Sequence, residues 1–274
     1  MYSVAALSPD GSKVVVGRNL ELWIHDLQRG TRSRLTPPNT YNHWPLWSSD
    51  GTRIIFASNR GGHWDIYSQP ADGSRPAEVL IQGPYEKNPL SMLADGTLLY
   101  GELHPKTAYD LWIRTPDGKT PPWLATPSNE QDGQFSPDAS PGPRGGPRWI
   151  AYSSDESGRG EIYLQRYPGG GGRIPVSTGG GILPRWSRDG KELFYVSGDA
   201  LMAVSIGPNG SAGVPHKLFE RSNFLLRTLF HGYDVSPDGK RLLMIQRDPG
   251  SVPRQLNVIL NWSEELDRLA PVGK

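Results

Sequence analysis

The sequence predicts an all-β fold: a six-bladed β-propeller of four-stranded antiparallel blades with a short C-terminal helix. Three observations lead there. A phrase of the form apolar–Ser–x–Asp–Gly recurs six times along the 274 residues. An apolar run of strand length follows each copy. Gly and Pro, 33 and 26 of them, break every helical window except one near the C-terminus.

The phrase reads Leu7-Ser8-Pro9-Asp10-Gly11, Trp47-Ser48-Ser49-Asp50-Gly51, Leu93-Ala94-Asp95-Gly96, Phe135-Ser136-Pro137-Asp138-Ala139, Trp186-Ser187-Arg188-Asp189-Gly190 and Val235-Ser236-Pro237-Asp238-Gly239. Its aspartates lie 40, 45, 43, 51 and 49 residues apart, and four-stranded propeller blades repeat at about 40–45 residues with insertions in loops. The two long intervals hold visible insertions, at 140–147 and around 221–227. The expected blades are 1–38, 39–82, 83–127, 128–178, 179–222 and 223–262.

Each copy has one internal plan. A short inner strand runs into the Asp-Gly turn. A near-continuous apolar second strand follows, as in Arg53-Ile54-Ile55-Phe56-Ala57 or Glu192-Leu193-Phe194-Tyr195-Val196, a pattern that suits a strand covered on both faces by neighbouring blades. The third strand alternates, as in Asp65-Ile66-Tyr67-Ser68, and Asp65, Asp110 and Glu161 precede it at equivalent places as scaffolding. A second turn leads to a short polar edge strand. The sixth copy offers three strands, Tyr233-Asp234-Val235, 242–245 and 256–260, so the ring is expected to lack the usual exchange of strands between its ends. Ser263 as a cap, acids in the first turn and Leu266 and Leu269 on one face predict the helix over 263–269.

Lys plus Arg number 29 and Asp plus Glu 28, a net charge of +1. Such a balance gives no electrostatic footprint for nucleic acid. No apolar run reaches membrane-spanning length, and no charged stretch precedes an apolar one at the N-terminus, so neither direct membrane insertion nor a secretory leader is expected. The absence of cysteine excludes disulfides and thiolate metal sites. There is no G-x-S-x-G elbow, P-loop, kinase Gly-rich loop or H-E-x-x-H. The run 169–172 is a hairpin turn, and no catalytic residue, cofactor or metal site is assigned.

The phrases at 47–51, 58–67 and 153–163 resemble the WD40-like repeats of the TolB propeller family. The stretches Val176-Ser177-Thr178-Gly179-Gly180-Gly181 and 184–195, with the ending Val258-Ile259-Leu260-Asn261-Trp262, are similar to the C-terminal propeller of bacterial receptor-type serine/threonine protein kinases. That resemblance implies a sensor or protein-interaction module, part of or derived from a larger signalling protein. It supplies no catalytic residue. A parent of this type would place the module outside the cytoplasmic membrane.

In a propeller the start of each inner strand faces the central channel. Counting seven residues back from each repeat aspartate gives Ser3, His43, Asn88, Gln131, Ile182 and His231, with Tyr41, Asn42, Glu86, Lys87, Glu130, Asp132, Arg185 and Asp234 as neighbours. The candidate binding residues are His43, Asn88, Gln131, Asp132, Arg185 and His231. They read as a channel mouth that takes a peptide end, a small polar ligand or a cation, or as the polar lining of a water-filled channel. The expected function is non-catalytic binding of a protein or peptide. The alternative is a metal-dependent lyase or hydrolase in the channel, with His43 and His231 beside Asp132 or Glu86.

Overall fold

The computed structural model describes residues 2–137, 148–169, 171–220, 232–245 and 257–259, those at 2, 3 and 257–259 by backbone alone. β1 (Tyr2–Leu7), β2 (Lys13–Arg18), β3 (Glu21–Asp26) and β4 (Thr31–Arg34) form the first antiparallel blade. β5 (Asn42–Trp47), β6 (Arg53–Ser58), β7 (Asp65–Pro70) and β8 (Glu78–Ile81) form the second. The third comprises β9 (Lys87–Met92), β10 (Leu98–His104), β11 (Ala108–Arg114) and β12 (Pro122–Leu124). The fourth has β13 (Glu130–Phe135), β14 (Arg148–Ser154), β15 (Glu161–Tyr167) and β16 (Ile174–Pro175). The fifth has β17 (Ile182–Trp186), β18 (Glu192–Ser197), β19 (Ala200–Ser205) and β20 (His216–Glu220). A last sheet holds, among the described residues, β21 (Tyr233–Val235), β22 (Leu242–Met244) and β23 (Asn257–Ile259).

The repeated phrase is explained by its turn. In the first copy the Ser8 hydroxyl donates to Asp10 Oδ1 (2.5 Å) and accepts from the Lys13 amide (2.9 Å), while the Ser12 amide donates to the same Asp10 oxygen (3.0 Å). Ser48 and Asp50 repeat this pattern, as do Ser187 and Asp189. The following glycine adopts φ of 71° at Gly11, 69° at Gly51 and 66° at Gly190, where a Cβ would be strained. Two of the acids at the third strand tie their blade to its successor: Asp65 accepts from the Gly83 amide and Glu161 from the Gly180 amide, both on the way to the next inner strand, whereas Asp110 accepts from the Thr107 hydroxyl of its own hairpin.

The second strands are apolar on both faces because both faces are buried. Ile54 and Phe56 pack with Val15, Leu22 and Ile24 of the first blade, whereas Ile55 packs with Leu98 and Tyr100 of the third. Similar clusters join each sheet to the next. Ala5, Val14 and Val16 meet Leu243 and Ile245, which closes the ring by packing, together with a hydrogen bond from the Leu7 amide to Asp234 Oδ2 (2.8 Å). Two tryptophans at one repeat position staple neighbouring inner strands. The Trp47 indole donates to the Ala6 carbonyl (3.0 Å) and the Trp186 indole to the Gln134 carbonyl (3.2 Å). Trp47→Phe keeps the aromatic packing and removes the donor, so it should lower the unfolding free energy by about 1–2 kcal/mol in urea titrations. Unchanged stability would show that the indole bond is not a staple.

The expected architecture of six four-stranded blades and a C-terminal helix is corrected. Among the described residues the propeller has five four-stranded blades, and the last repeat contributes a sheet of three three-residue strands. In sequence the apolar run of that repeat ends at Ile245, and 246–256 lie outside the described residues. There is no helix among the described residues, and 263–269 lies outside them. Seven residues are too few for the spacing of Leu266 and Leu269 to specify a helix by itself.

Candidate functional site

The inner strands are not regular. β5, β13 and β17 each shift register against the next strand, between His43 and Leu46, Gln131 and Gln134, and Ile182 and Arg185. Inside each shift one residue has a left-handed backbone: Trp44 (φ 48°), Asp132 (φ 58°) and Leu183 (φ 56°). These are β-bulges, which turn a side chain away from its regular direction. All three occupy the same repeat position, and all three line a cavity of about 320 Å³ at the mouth of the channel.

Asn88, Gln131, Glu130 and Tyr109 share this cavity, with Leu90 and Ile182 as apolar wall. Asn88 is 9% exposed, and its side-chain oxygen is shut off from water with no hydrogen-bond partner among the described residues. Such a group costs about 1–3 kcal/mol unless something satisfies it. The Asn88 amide lies against Gly101 on β10, where a Cβ would fall 2.5 Å from Asn88 Oδ1. Asp132 is half-buried and accepts from the Leu183 amide (3.2 Å) and the Ser153 hydroxyl (3.1 Å), so it bridges the fourth and fifth blades. Burial pushes its carboxyl above the usual range, and the Arg185 charge opposes that rise. Burial likewise raises Glu130, which is bonded to Thr126. The Tyr109 hydroxyl donates to Glu86 (3.3 Å).

A second hollow of about 240 Å³ lies deeper in the channel, lined by Arg185, Asp234 and Gln134 among others. Arg185 donates to the Pro184 carbonyl (2.8 Å) and sits over the Tyr233 ring. Its charge acts on both Asp132 and Asp234, and Asp234, raised by burial, accepts from the Leu7 and Val235 amides. At the far mouth the Ser-x-Asp turns surround a larger hollow, where Arg188 donates to the Pro9 carbonyl.

Of the six sequence candidates, Asn88, Gln131 and Asp132 come together in the mouth cavity, and Arg185 lines the deeper hollow. His43 does not line the mouth cavity. It is buried against the rings of Trp44 (5.5 Å) and Trp64 (5.1 Å), and burial pushes its imidazole down. His231 lies outside the described residues. No group of three His, Cys, Asp or Glu side chains is placed to hold a metal ion among the described residues. Sequence reasoning missed Trp44, Tyr109, Gly101 and Leu183. For Trp44 and Leu183 the available signal was the position six back from the repeat aspartate, one residue nearer than the position used.

A family model of the TolB β-propeller domain matches residues 1–141. The chain belongs to the TolB β-propeller family. Solved structures similar to it include a putative TolB from Agrobacterium tumefaciens, 16% identical with a TM-score of 0.69 over 87% of either chain. TolB from Acinetobacter baumannii is 18% identical with a TM-score of 0.64, over 90% of this chain and 57% of that one. An oligogalacturonate lyase in complex with manganese is 17% identical with a TM-score of 0.63, over 95% of this chain and 74% of that one. At these identities the likeness is one of fold, and the same propeller carries both binding proteins and enzymes. In this TolB-family propeller the residues at the channel mouth therefore bear the functional argument.

Proposed function

We propose that the protein is a non-catalytic binding module, a sensor or interaction propeller that takes part of a protein or peptide partner into the channel mouth. One observation carries the reading: Asn88, nine-tenths buried in the wall of the mouth cavity, has a side-chain oxygen that nothing within the described residues satisfies. Around it stand polar groups of the third and fourth blades and an aromatic ring from each of two blades, Trp44 and Tyr109, a mixture that fits a peptide better than a purely apolar ligand. The resemblance of 176–181, 184–195 and 258–262 to the propellers of receptor-type kinases supports a place in a larger signalling protein. The lyase or hydrolase alternative gains nothing from His43, which packs among indole rings.

Gly101→Ala supplies the test. The new methyl displaces the Asn88 amide, the far end of a flexible side chain, so stability should change by no more than about 1–2 kcal/mol. Random peptides displayed on phage and selected on the wild-type protein should lose at least about tenfold in affinity on the Gly101→Ala protein, a loss of about 1.4 kcal/mol. Selected peptides that bind both proteins equally would place recognition elsewhere and overturn the proposal.

A further inference from the structure

The mouth cavity also has a chemistry of its own, and resting on the binding reading above we propose that it recognises a primary ammonium group, presented by a lysine side chain or by a free peptide amino terminus. The lining carries two carboxylates, Glu130 and Asp132, and neither Lys nor Arg. Arg185, the cation that acts on Asp132, lines the deeper hollow instead. An anion entering the mouth would meet like charge in a site of reduced dielectric, whereas a cation would relieve it. Trp44 and Tyr109 offer ring faces of the kind that attract a cation and cover the methylene stem behind it.

The acceptors favour ammonium over guanidinium. A guanidinium fork binds best to a carboxylate with both oxygens available. Neither carboxylate here offers that: Asp132 Oδ2 already takes the Leu183 amide and the Ser153 hydroxyl, and both oxygens of Glu130 take donors from Thr126. What remains is a set of single acceptors on different strands. Asp132 Oδ1 belongs to β13, and the unpartnered Asn88 oxygen belongs to β9, where it lies against Gly101, so a rotation of the side-chain amide about its last bond would present it to a ligand. An ammonium has three rotatable donors on one compact charge, which matches dispersed single acceptors. The carboxylates are held protonated to higher pH than usual by burial, and a bound cation would favour their ionised form.

Isothermal titration calorimetry of the full chain at low ionic strength, with three short peptides, tests this. The first, acetyl-Gly-Lys-Gly-amide, carries only a side-chain ammonium; the second, Gly-Ala-Gly-amide, carries only a terminal one. The third, acetyl-Gly-norleucine-Gly-amide, has the same stem as lysine and no charge. At least one ammonium peptide should bind saturably, and whichever binds identifies the source. The norleucine peptide should bind at least about tenfold more weakly, and Asp132→Asn should weaken the ammonium peptide by a similar factor. Circular dichroism checks that Asp132→Asn folds. If it does not, Glu130→Gln and Asn88→Ala provide the same comparison. Equal binding of the norleucine peptide, or no binding by either ammonium peptide, would overturn the ammonium assignment. Norleucine binding that is still lost in Gly101→Ala would leave the channel-mouth reading standing without it.

Discussion

Lys87→Met is expected to lower the unfolding free energy by about 3–5 kcal/mol, the cost of leaving one charge of a buried pair without its partner. Lys87 on β9 and Glu102 on β10 are register partners, and their charged groups lie 3.2 Å apart with side chains 3% and 11% exposed. The Lys87 ammonium also donates to the Tyr85 carbonyl (2.6 Å) in the link from the second blade. Removing it leaves the Glu102 carboxylate enclosed by the sheet with no cation beside it. Replacing both residues, Lys87→Met with Glu102→Leu, should recover most of the loss, because an apolar pair has no charge to desolvate. Urea unfolding at neutral pH checks both variants. A loss below about 1 kcal/mol for Lys87→Met would mean that water reaches the pair and that it behaves as a surface ion pair.

That pair also shows how far the sequence could be read. Lys87 was legible as a neighbour of the channel mouth, through its distance from Asp95, but not as half of an ion pair. Glu102 lies fifteen residues on, and only the β9–β10 register brings the two together. The Ser-x-Asp-Gly turns were legible because their bonds are local, closed within five residues, and therefore repeat as text. The doubly apolar second strands were legible for a similar reason, since burial between blades writes itself into composition. The bulges were not. A left-handed backbone is tolerated by Asp, but Trp44 and Leu183 carry no such sign and are held there by the strands around them. Counting along an assumed regular strand therefore selected His43 and missed Trp44, one residue further on, which lines the cavity. The three strands of the last sheet were legible as apolar runs, at 233–235, 242–245 and 256–260, and the described strands Tyr233–Val235, Leu242–Met244 and Asn257–Ile259 fall on those runs.

Arg185→Met should destabilise the protein by about 1–3 kcal/mol at pH 7, the scale of a charge interaction a few ångströms beyond contact, and by progressively less as the pH falls. The charge of this guanidinium acts on two carboxyls. Asp132 holds the fourth blade to the fifth through the Leu183 amide, and Asp234 holds the last sheet to the first blade through the Leu7 amide. Burial raises both above the unfolded value of 3.8, and Arg185 limits the rise. A carboxyl raised on folding contributes stability that is fully present below its unfolded pKa and is lost as the pH climbs through its folded one. Without Arg185 both folded values move higher, so the loss on going to neutral pH becomes larger in the variant than in the wild type. Other carboxyls act in the opposite direction. Asp10, lowered to about 2 by the Ser8 hydroxyl and the Ser12 amide, weakens the fold when it is protonated, but it does so in both proteins and cancels in their difference. Urea midpoints at pH 4, 5.5 and 7 should therefore show a gap between wild type and Arg185→Met that widens steadily with pH. Adding Asp234→Asn to Arg185→Met should close part of that gap at pH 7 while leaving the pH 4 value nearly unchanged. A gap of constant size would mean that Arg185 acts through its packing on Tyr233 alone. The carboxylates would then tie the blades together without any help from its charge.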